Sequence, residues 1–185
     1  ALLYYVGINK RVSNIQHHNL FFDESLEDHG KEIYKNPKWP TAPLFYLSAP
    51  SLTDPSVAPE GSENLFFLIP IAPDLVDDEE TREYYFNLLL DRLKKLTGND
   101  IKDNIVYKRS FSISNFKEDY HAFKGNAYGL ANTLKQTAIF KPQIKNKKLR
   151  NFYYTGQLTV PGPGVPPSII SGEVVANYVH KNSIK

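Results

Sequence analysis

A loop rich in glycine and proline near the end of the chain contains the residues best suited to hold a ligand with the backbone. It runs over residues 156–168, between a predicted strand and a predicted helix. Gly156 removes a side chain where the strand ends, and Gly162 and Gly164 let the main chain approach a planar ligand closely. The spacing therefore indicates a loop that exposes its backbone to a ligand.

The helix after this loop is expected to begin at Pro166 or Pro167. Proline is tolerated there because the first N–H groups of a helix have no partner within the helix, so the missing N–H group costs no hydrogen bond. That start leaves the N–H groups of Ser168, Ile169 and Ile170 free at the positive end of the helix dipole. Such an end can stabilise an anion. The alternative is a proline-rich turn that only packs between a strand and a helix, and the residue types alone are compatible with both.

Side chains suited to metal binding or acid–base catalysis form no recognisable group in the sequence. His17 and His18 are adjacent, so in a strand they face opposite sides, and no carboxylate cluster accompanies them at ligand spacing. The chain has no cysteine, which excludes disulfides, thiolate metal sites and cysteine nucleophiles. We therefore predict no metal site and assign no catalytic acid or base. Four acidic residues could act as acids or bases, but no defined spacing in the sequence pairs them: Asp54, Glu60, Glu118 and Asp119.

Four segments of the chain resemble segments of one enzyme family, in the same order. The most specific runs Gly156-Gln157-Leu158-Thr159-Val160-Pro161-Gly162-Pro163-Gly164-Val165-Pro166, with Ser171 and Gly172 in the helix that follows. The other three are His17-His18-Asn19, Thr53-Asp54-Pro55-Ser56 with Pro59-Glu60-Gly61, and Phe123-Lys124-Gly125-Asn126-Ala127-Tyr128-Gly129-Leu130. Over nearly its whole length the chain thus resembles the C-terminal part of a flavin-dependent carotenoid desaturase of the phytoene desaturase family.

The resemblance implies an FAD cofactor whose flavin ring meets the 156–168 loop. A reduced flavin develops negative charge near N1 and the C2 carbonyl, so a helix N-terminus there would favour electron acceptance. In this chemistry the flavin accepts a hydride, while protein groups position the polyene and assist loss of a proton. The implied cofactor-binding residues are Gly156, Thr159, Pro161, Gly162, Gly164, Val165, Pro166 and Ser168.

The same resemblance implies a carotenoid polyene as substrate, phytoene or a related C40 compound. A long conjugated hydrocarbon needs apolar and aromatic walls, although most of the 12 tyrosines and 11 phenylalanines are expected to be core. The motifs leave open a flavin-dependent carotenoid isomerase, a desaturase of another polyene, and a non-catalytic binding module. The implied substrate-binding residues are His17, Phe123, Tyr128 and Phe140.

Enzymes of this family open with a dinucleotide-binding βαβ unit marked by a G-x-G-x-x-G turn. The ten glycines lie at positions 7, 30, 61, 98, 125, 129, 156, 162, 164 and 172, and no trio has that spacing. We therefore expect a fragment that is inactive alone, with most of the adenosine and pyrophosphate site supplied by a missing N-terminal domain. The apolar run at residues 2–6 and the absence of methionine suit a piece of a longer chain.

The order of predicted elements indicates a mixed α+β fold. Strands are predicted at 2–8, 17–22, 44–47, 64–69, 105–111 and 151–155, and helices at 23–35, 78–97, 114–120 and 168–179. The first, third, fourth and fifth strands are expected to form a sheet packed against the 78–97 helix. Residues 1–140 are assigned to a substrate-binding domain, and residues 141–185 to the C-terminal strand, loop and helix of an FAD-binding domain.

Net charge and hydrophobicity limit the classes of partner that the chain is expected to bind. The net charge of +2, from 22 basic and 20 acidic side chains, predicts no attraction to nucleic acid, and no run approaches the ~20 apolar residues that span a bilayer. We expect a cytoplasmic protein peripheral to the inner membrane surface, with its oligomeric state open. One basic stretch suits an anionic leaflet, the alternative being a solvated turn: Lys141, Lys145, Lys147, Lys148 and Arg150.

Overall fold

The protein forms two compact units, Ala1–Asn126 and Ala127–Lys185. A computed structural model describes residues 1–131 and 133–183. These residues contain a five-stranded antiparallel sheet and four α-helices, so the predicted mixed fold is confirmed. The assignment of residues 1–140 and 141–185 to a substrate-binding and a flavin-binding domain concerns function, and it stays a prediction.

The sheet belongs to the first unit and has the order β2-β3-β4-β1-β5. Buried and more exposed side chains alternate along β3 and β4, as expected of a sheet with one covered face, and along β1 except at the buried Leu3. All neighbouring pairs are antiparallel. The strands are β1 (Leu2–Ile8), β2 (His18–Phe21), β3 (Phe45–Ser48), β4 (Glu63–Ile69) and β5 (Ile105–Phe111).

The covered face packs against a long helix, Glu79–Thr97, which is the second of the four and is called α2. Asp78 caps its start by accepting a hydrogen bond from the N–H of Thr81, and Gly98 ends it in the left-handed conformation. Tyr4 of β1 lies 5.0 Å from Phe86, measured between ring centroids. The predicted packing of this helix on the sheet is confirmed.

The remaining helices are α1 (Leu26–Tyr34), α3 (Ile113–Tyr120) and α4 (Val165–Ser183). Helix α1 lies within its predicted segment and follows the capping residue Ser25. Helix α3 begins one residue before its predicted segment and follows the capping residue Ser112. The fourth begins three residues before the predicted Ser168, with consequences for the loop in front of it.

The prediction of a strand at 151–155 is wrong. Only Tyr153 forms a bridge there, to Lys145, flanked by two backbone hydrogen bonds. The partner segment turns away at Asn146, whose side-chain oxygen accepts from the N–H groups of Lys148 and Leu149. An aromatic run with strand propensity therefore stays irregular because its neighbour cannot extend the ladder.

Candidate functional site

The glycines of the 156–168 loop adopt backbone conformations that other residues rarely reach. Gly156, Gly162 and Gly164 have φ angles of 98°, 135° and 116°. At Gly164 a Cβ atom would also lie 3.3 Å from Cδ of Pro167, and the Val160–Pro161 peptide bond nearby is cis. The loop therefore follows a path that depends on glycine, as its sequence predicts.

The start of α4 differs from the prediction in a way that matters for anion binding. Val165 is its first residue, and the N–H of Ser168 donates to the carbonyl of Gly164 at 3.0 Å. The expectation that Ser168, Ile169 and Ile170 offer free N–H groups is wrong, because helical pairing directs all three to carbonyls four residues earlier. Since Pro166 and Pro167 have no N–H group, the first turn offers few donors to a ligand.

Ser171 ties the beginning of the loop to α4. Its hydroxyl is fully buried and donates to the carbonyl of Ser168 at 2.7 Å. It accepts from the N–H of Gly156 at 2.7 Å and pairs with the hydroxyl of Thr155 at 2.9 Å. Because its single proton is used on Ser168, Thr155 must be the donor of that pair. Ser171 thus fixes the loop rather than facing a ligand.

Thr159 and Gly162 hold a lysine against the same loop. The buried Thr159 hydroxyl donates to the carbonyl of Pro142 at 2.6 Å. A Cβ atom at Gly162 would lie 3.2 Å from Cε of Lys141. Lys141 is 4% exposed, and within the described part of the chain its Nζ atom has no hydrogen-bond partner. It therefore does not share the surface of the other basic residues in its stretch, which are exposed.

The predicted substrate-binding residues lie at the surface of their units. In the first unit, His17 is half-buried with Nδ1 2.6 Å from Oγ1 of Thr53, and Phe123 is 77% exposed in a single 3₁₀ turn. In the second unit, Tyr128 and Phe140 are 56% and 65% exposed. Their role in substrate binding stays a prediction.

An aromatic row that sequence reasoning missed crosses the face of the sheet opposite α2. It comprises His18, Tyr46, Phe66 and Tyr5, one from each of β2, β3, β4 and β1. The Phe66 ring centroid lies 5.2 Å from that of Tyr5 and 6.3 Å from that of Tyr46, whose hydroxyl is 2.6 Å from Nδ1 of His18. Alternation within each strand was the signal that could have found this row, which we call the aromatic row.

Neither a metal site nor a membrane span is found in the described residues. Across 1–131 and 133–183, no group of three or more potential metal ligands lies together. No helix in these ranges is both long enough and apolar enough to cross a bilayer.

Comparison with known proteins gives close relatives, although no protein-family model matches the chain. It is 44% identical over 176 residues to the carotenoid 3,4-desaturase of Haloarcula japonica, an alignment that covers 95% of the chain and 36% of that protein. It is 31% identical over 166 residues to the 4,4'-diapolycopen-4-al dehydrogenase of Metabacillus indicus, covering 90% and 34%. It is 30% identical over 191 residues to a 4,4'-diapophytoene desaturase of Staphylococcus aureus, covering 98% and 38%.

By their names these relatives are oxidoreductases that act on carotenoids, and the similarity extends over 90% to 98% of the chain. The chain is a region of the carotenoid desaturase type, so the family resemblance predicted from its sequence is confirmed. It spans 34% to 38% of the length of the curated relatives it matches.

Proposed function

We propose that this chain is the C-terminal part of an FAD-dependent enzyme that introduces double bonds into phytoene or a related carotenoid. The observation that carries the proposal is the 44% identity to a carotenoid 3,4-desaturase over 95% of the chain. The order of the four family-like segments, which ends in the 156–168 loop, supports it.

The second unit contains features that fit a flavin ring. Gly156 has no atom within 4 Å of the position a Cβ would take, and Gly162 leaves room for the Lys141 side chain. Thr159 and Ser171 fix the loop through buried hydrogen bonds. The unpaired ammonium of Lys141 beside Gly162 suits a ligand with negative or electron-rich oxygen and nitrogen atoms. A bound flavin would supply the hydride acceptor. The adenosine and pyrophosphate would need the G-x-G-x-x-G turn that this sequence lacks, so we propose that an upstream domain supplies it.

The aromatic row fits a polyene. Tyr5, Tyr46 and Phe66 lie on the sheet face away from α2, and Tyr5 is 40% exposed. Rings in a row can orient a conjugated hydrocarbon and keep water from it. We propose that this face forms one wall of the carotenoid site.

The test is to incubate the full-length protein containing this chain with phytoene in liposomes and to analyse the products by absorbance and mass. Desaturation predicts a shift to longer wavelength and the loss of two hydrogens at each step. Products of unchanged mass would instead favour a carotenoid isomerase, and a purified protein without flavin would favour a binding module. A parallel incubation with 4,4'-diapolycopen-4-al tests the activity named for the Metabacillus relative.

A further inference from the structure

We infer that Lys141 is a cofactor-binding residue whose buried ammonium contacts the electron-rich N1 and C2-carbonyl edge of the flavin ring. The inference rests on the proposed function and adds to it a residue that lies outside the family-like loop motif. Its starting point is the burial of a charged group without a partner.

Burial of a lone ammonium opposes folding unless another group compensates the charge. In the described residues, two buried side-chain atoms lack a hydrogen-bond partner: Oε1 of Glu63 and Nζ of Lys141. Oε1 of Glu63 nevertheless lies 3.0 Å from Nε of Arg11, so an ion pair compensates its charge. No described residue forms an ion pair with Lys141, whose charge therefore calls for a ligand.

Two contacts fix Lys141 at the loop. The hydrogen bond from Thr159 to the carbonyl of Pro142 anchors the neighbouring residue. The end of the lysine side chain occupies the space that a side chain at position 162 would take, with Nζ 3.9 Å from the Cβ position there. Gly162 thus leaves room for Lys141, and the ammonium lies beside the loop that leads into α4.

The sign of the electrostatic field identifies the class of ligand. The N-terminus of α4, at Val165, carries the positive end of the helix dipole, and Lys141 adds a second positive group beside the preceding loop. Like charges disfavour each other unless an anion lies between them. Because Pro166 and Pro167 lack N–H groups, the helix start alone is a poor hydrogen-bond donor, whereas the lysine can donate charged hydrogen bonds. The arrangement therefore suits an acceptor-rich group that becomes negative.

FAD contains two such groups, the pyrophosphate and the pyrimidine edge of the ring. We assign Lys141 to the ring because the chain lacks the glycine-rich turn that binds pyrophosphate, and because Gly156, at the start of the same loop, has no atom within 4 Å of the position a Cβ would take. A cation at N1 and the C2 carbonyl stabilises reduced flavin more than oxidised flavin. A cation at the pyrophosphate stabilises both forms equally, so the flavin reduction potential separates the two assignments.

The experiment compares three variants of the full-length flavoprotein: Lys141→Met, Lys141→Arg and the surface control Lys145→Met. In Lys141→Met we expect reduced flavin to lose roughly tenfold to a hundredfold more affinity than oxidised flavin, as for one charged hydrogen bond. This loss lowers the midpoint potential by about 30 to 60 mV for a two-electron couple. Lys141→Arg and Lys145→Met should stay near wild type.

Thermal unfolding of the FAD-free proteins separates cofactor binding from a structural role. Methionine removes an uncompensated buried charge at similar length, so apo Lys141→Met should unfold at or above the wild-type temperature. If Lys141→Met loses all flavin, a stable apoprotein and restored flavin content in Lys141→Arg support the assignment.

Several outcomes would overturn it. An unchanged midpoint potential with weaker FAD binding assigns the lysine to the pyrophosphate, and an unchanged potential with unchanged binding removes it from the site. A large decrease in the unfolding temperature of FAD-free Lys141→Met would show that Lys141 has a structural role. A wild-type protein that binds no FAD overturns the proposed function together with this inference, whereas the other failures leave the proposed function intact.

Discussion

Asp77 and Arg82 form a largely buried ion pair where α2 meets β5 and α3. Nε and Nη2 of Arg82 donate to the two carboxylate oxygens at 2.7 and 2.6 Å, and the guanidinium also donates to Ser110 and Ser114. Burial alone would raise the pKa of Asp77, but hydrogen bonds from Arg82 and from the N–H of Ser114, together with the Arg82 charge, outweigh it. The pKa of Asp77 therefore lies below its ordinary value of 3.8.

This lowered pKa predicts a loss of stability in acid. A carboxylate whose pKa is lower in the folded than in the unfolded protein stabilises the fold above its unfolded pKa and loses that contribution as pH falls through the folded pKa. Asp77→Asn should reduce the free energy of unfolding at pH 7 by about 3 kcal/mol, since it leaves Arg82 without its partner. Urea unfolding at pH 7 and pH 3 should show a smaller acid loss in Asp77→Asn than in wild type. Asp91→Asn, on the exposed side of α2, is the control, and an equal acid loss in all three proteins would contradict the prediction.

Substitution of Gly164 by valine gives a second prediction for a single residue. Valine there would have to adopt a φ angle of 116° and would contact Pro167, so the loop should shift away from the path that we propose binds flavin. Strain of roughly 1–2 kcal/mol predicts about tenfold weaker FAD binding by the full-length protein. Flavin content of the purified, folded protein measures it. Gly61→Val has a similarly strained backbone outside the loop, with no atom near the new side chain. Full flavin retention in Gly164→Val would remove this residue from the site.

At the scale of elements, the sheet and α2 could be predicted because local signals agree with the tertiary packing. Alternation marks the strands, while Asp78 and Gly98 mark both ends of the helix. The strand at 151–155 could not be excluded, because its failure depends on a turn at Asn146 in a different segment. The position of Lys141 could not be predicted for the same reason, because the hydrogen bond from Thr159 to Pro142 joins residues that are far apart in sequence.

Two helical glycines give opposite predictions. Gly30 lies within α1 with no atom within 4 Å of an added Cβ, so Gly30→Ala should raise the free energy of unfolding by roughly 0.5–1 kcal/mol. Gly98 ends α2 at a φ angle of 81°, where alanine should cost about 1–2 kcal/mol. Chemical denaturation of both variants measures the difference. If Gly98→Ala did not lower stability, the assigned end of α2 would be incorrect, and if Gly30→Ala lowered it, the space assigned around Gly30 would be incorrect.

At the scale of the whole molecule, the second unit holds the loop and Lys141 that we propose for the flavin ring. No glycine trio in the chain has the spacing that suits a pyrophosphate. The family could be predicted from the motifs alone. The prediction of free N–H groups at the start of α4 was wrong. The sequence does not identify which carbonyl accepts the first helical hydrogen bond, and here it is that of Gly164.

The 185-residue chain alone should therefore bind FAD weakly and show no desaturase turnover. Each missing charged hydrogen bond to the pyrophosphate contributes roughly 1.5–3 kcal/mol, so the loss of three weakens binding by about a thousandfold or more. The visible spectrum of the purified chain and FAD titration by fluorescence quenching test this, with the full-length protein as reference. Stoichiometric yellow protein with submicromolar affinity would show that the cofactor site is complete without further sequence.

The aromatic row also has an evolutionary consequence. Because neighbouring strand residues point to opposite faces, Tyr5, Tyr46 and Phe66 lie away from the core that Tyr4, Leu47 and Phe67 form against α2. Substitutions in the row can thus accumulate with little effect on folding. A lineage could change the length or polarity of the carotenoid proposed to bind this face while keeping the same scaffold, and a mutant library confined to the row should retain a large fraction of folded members.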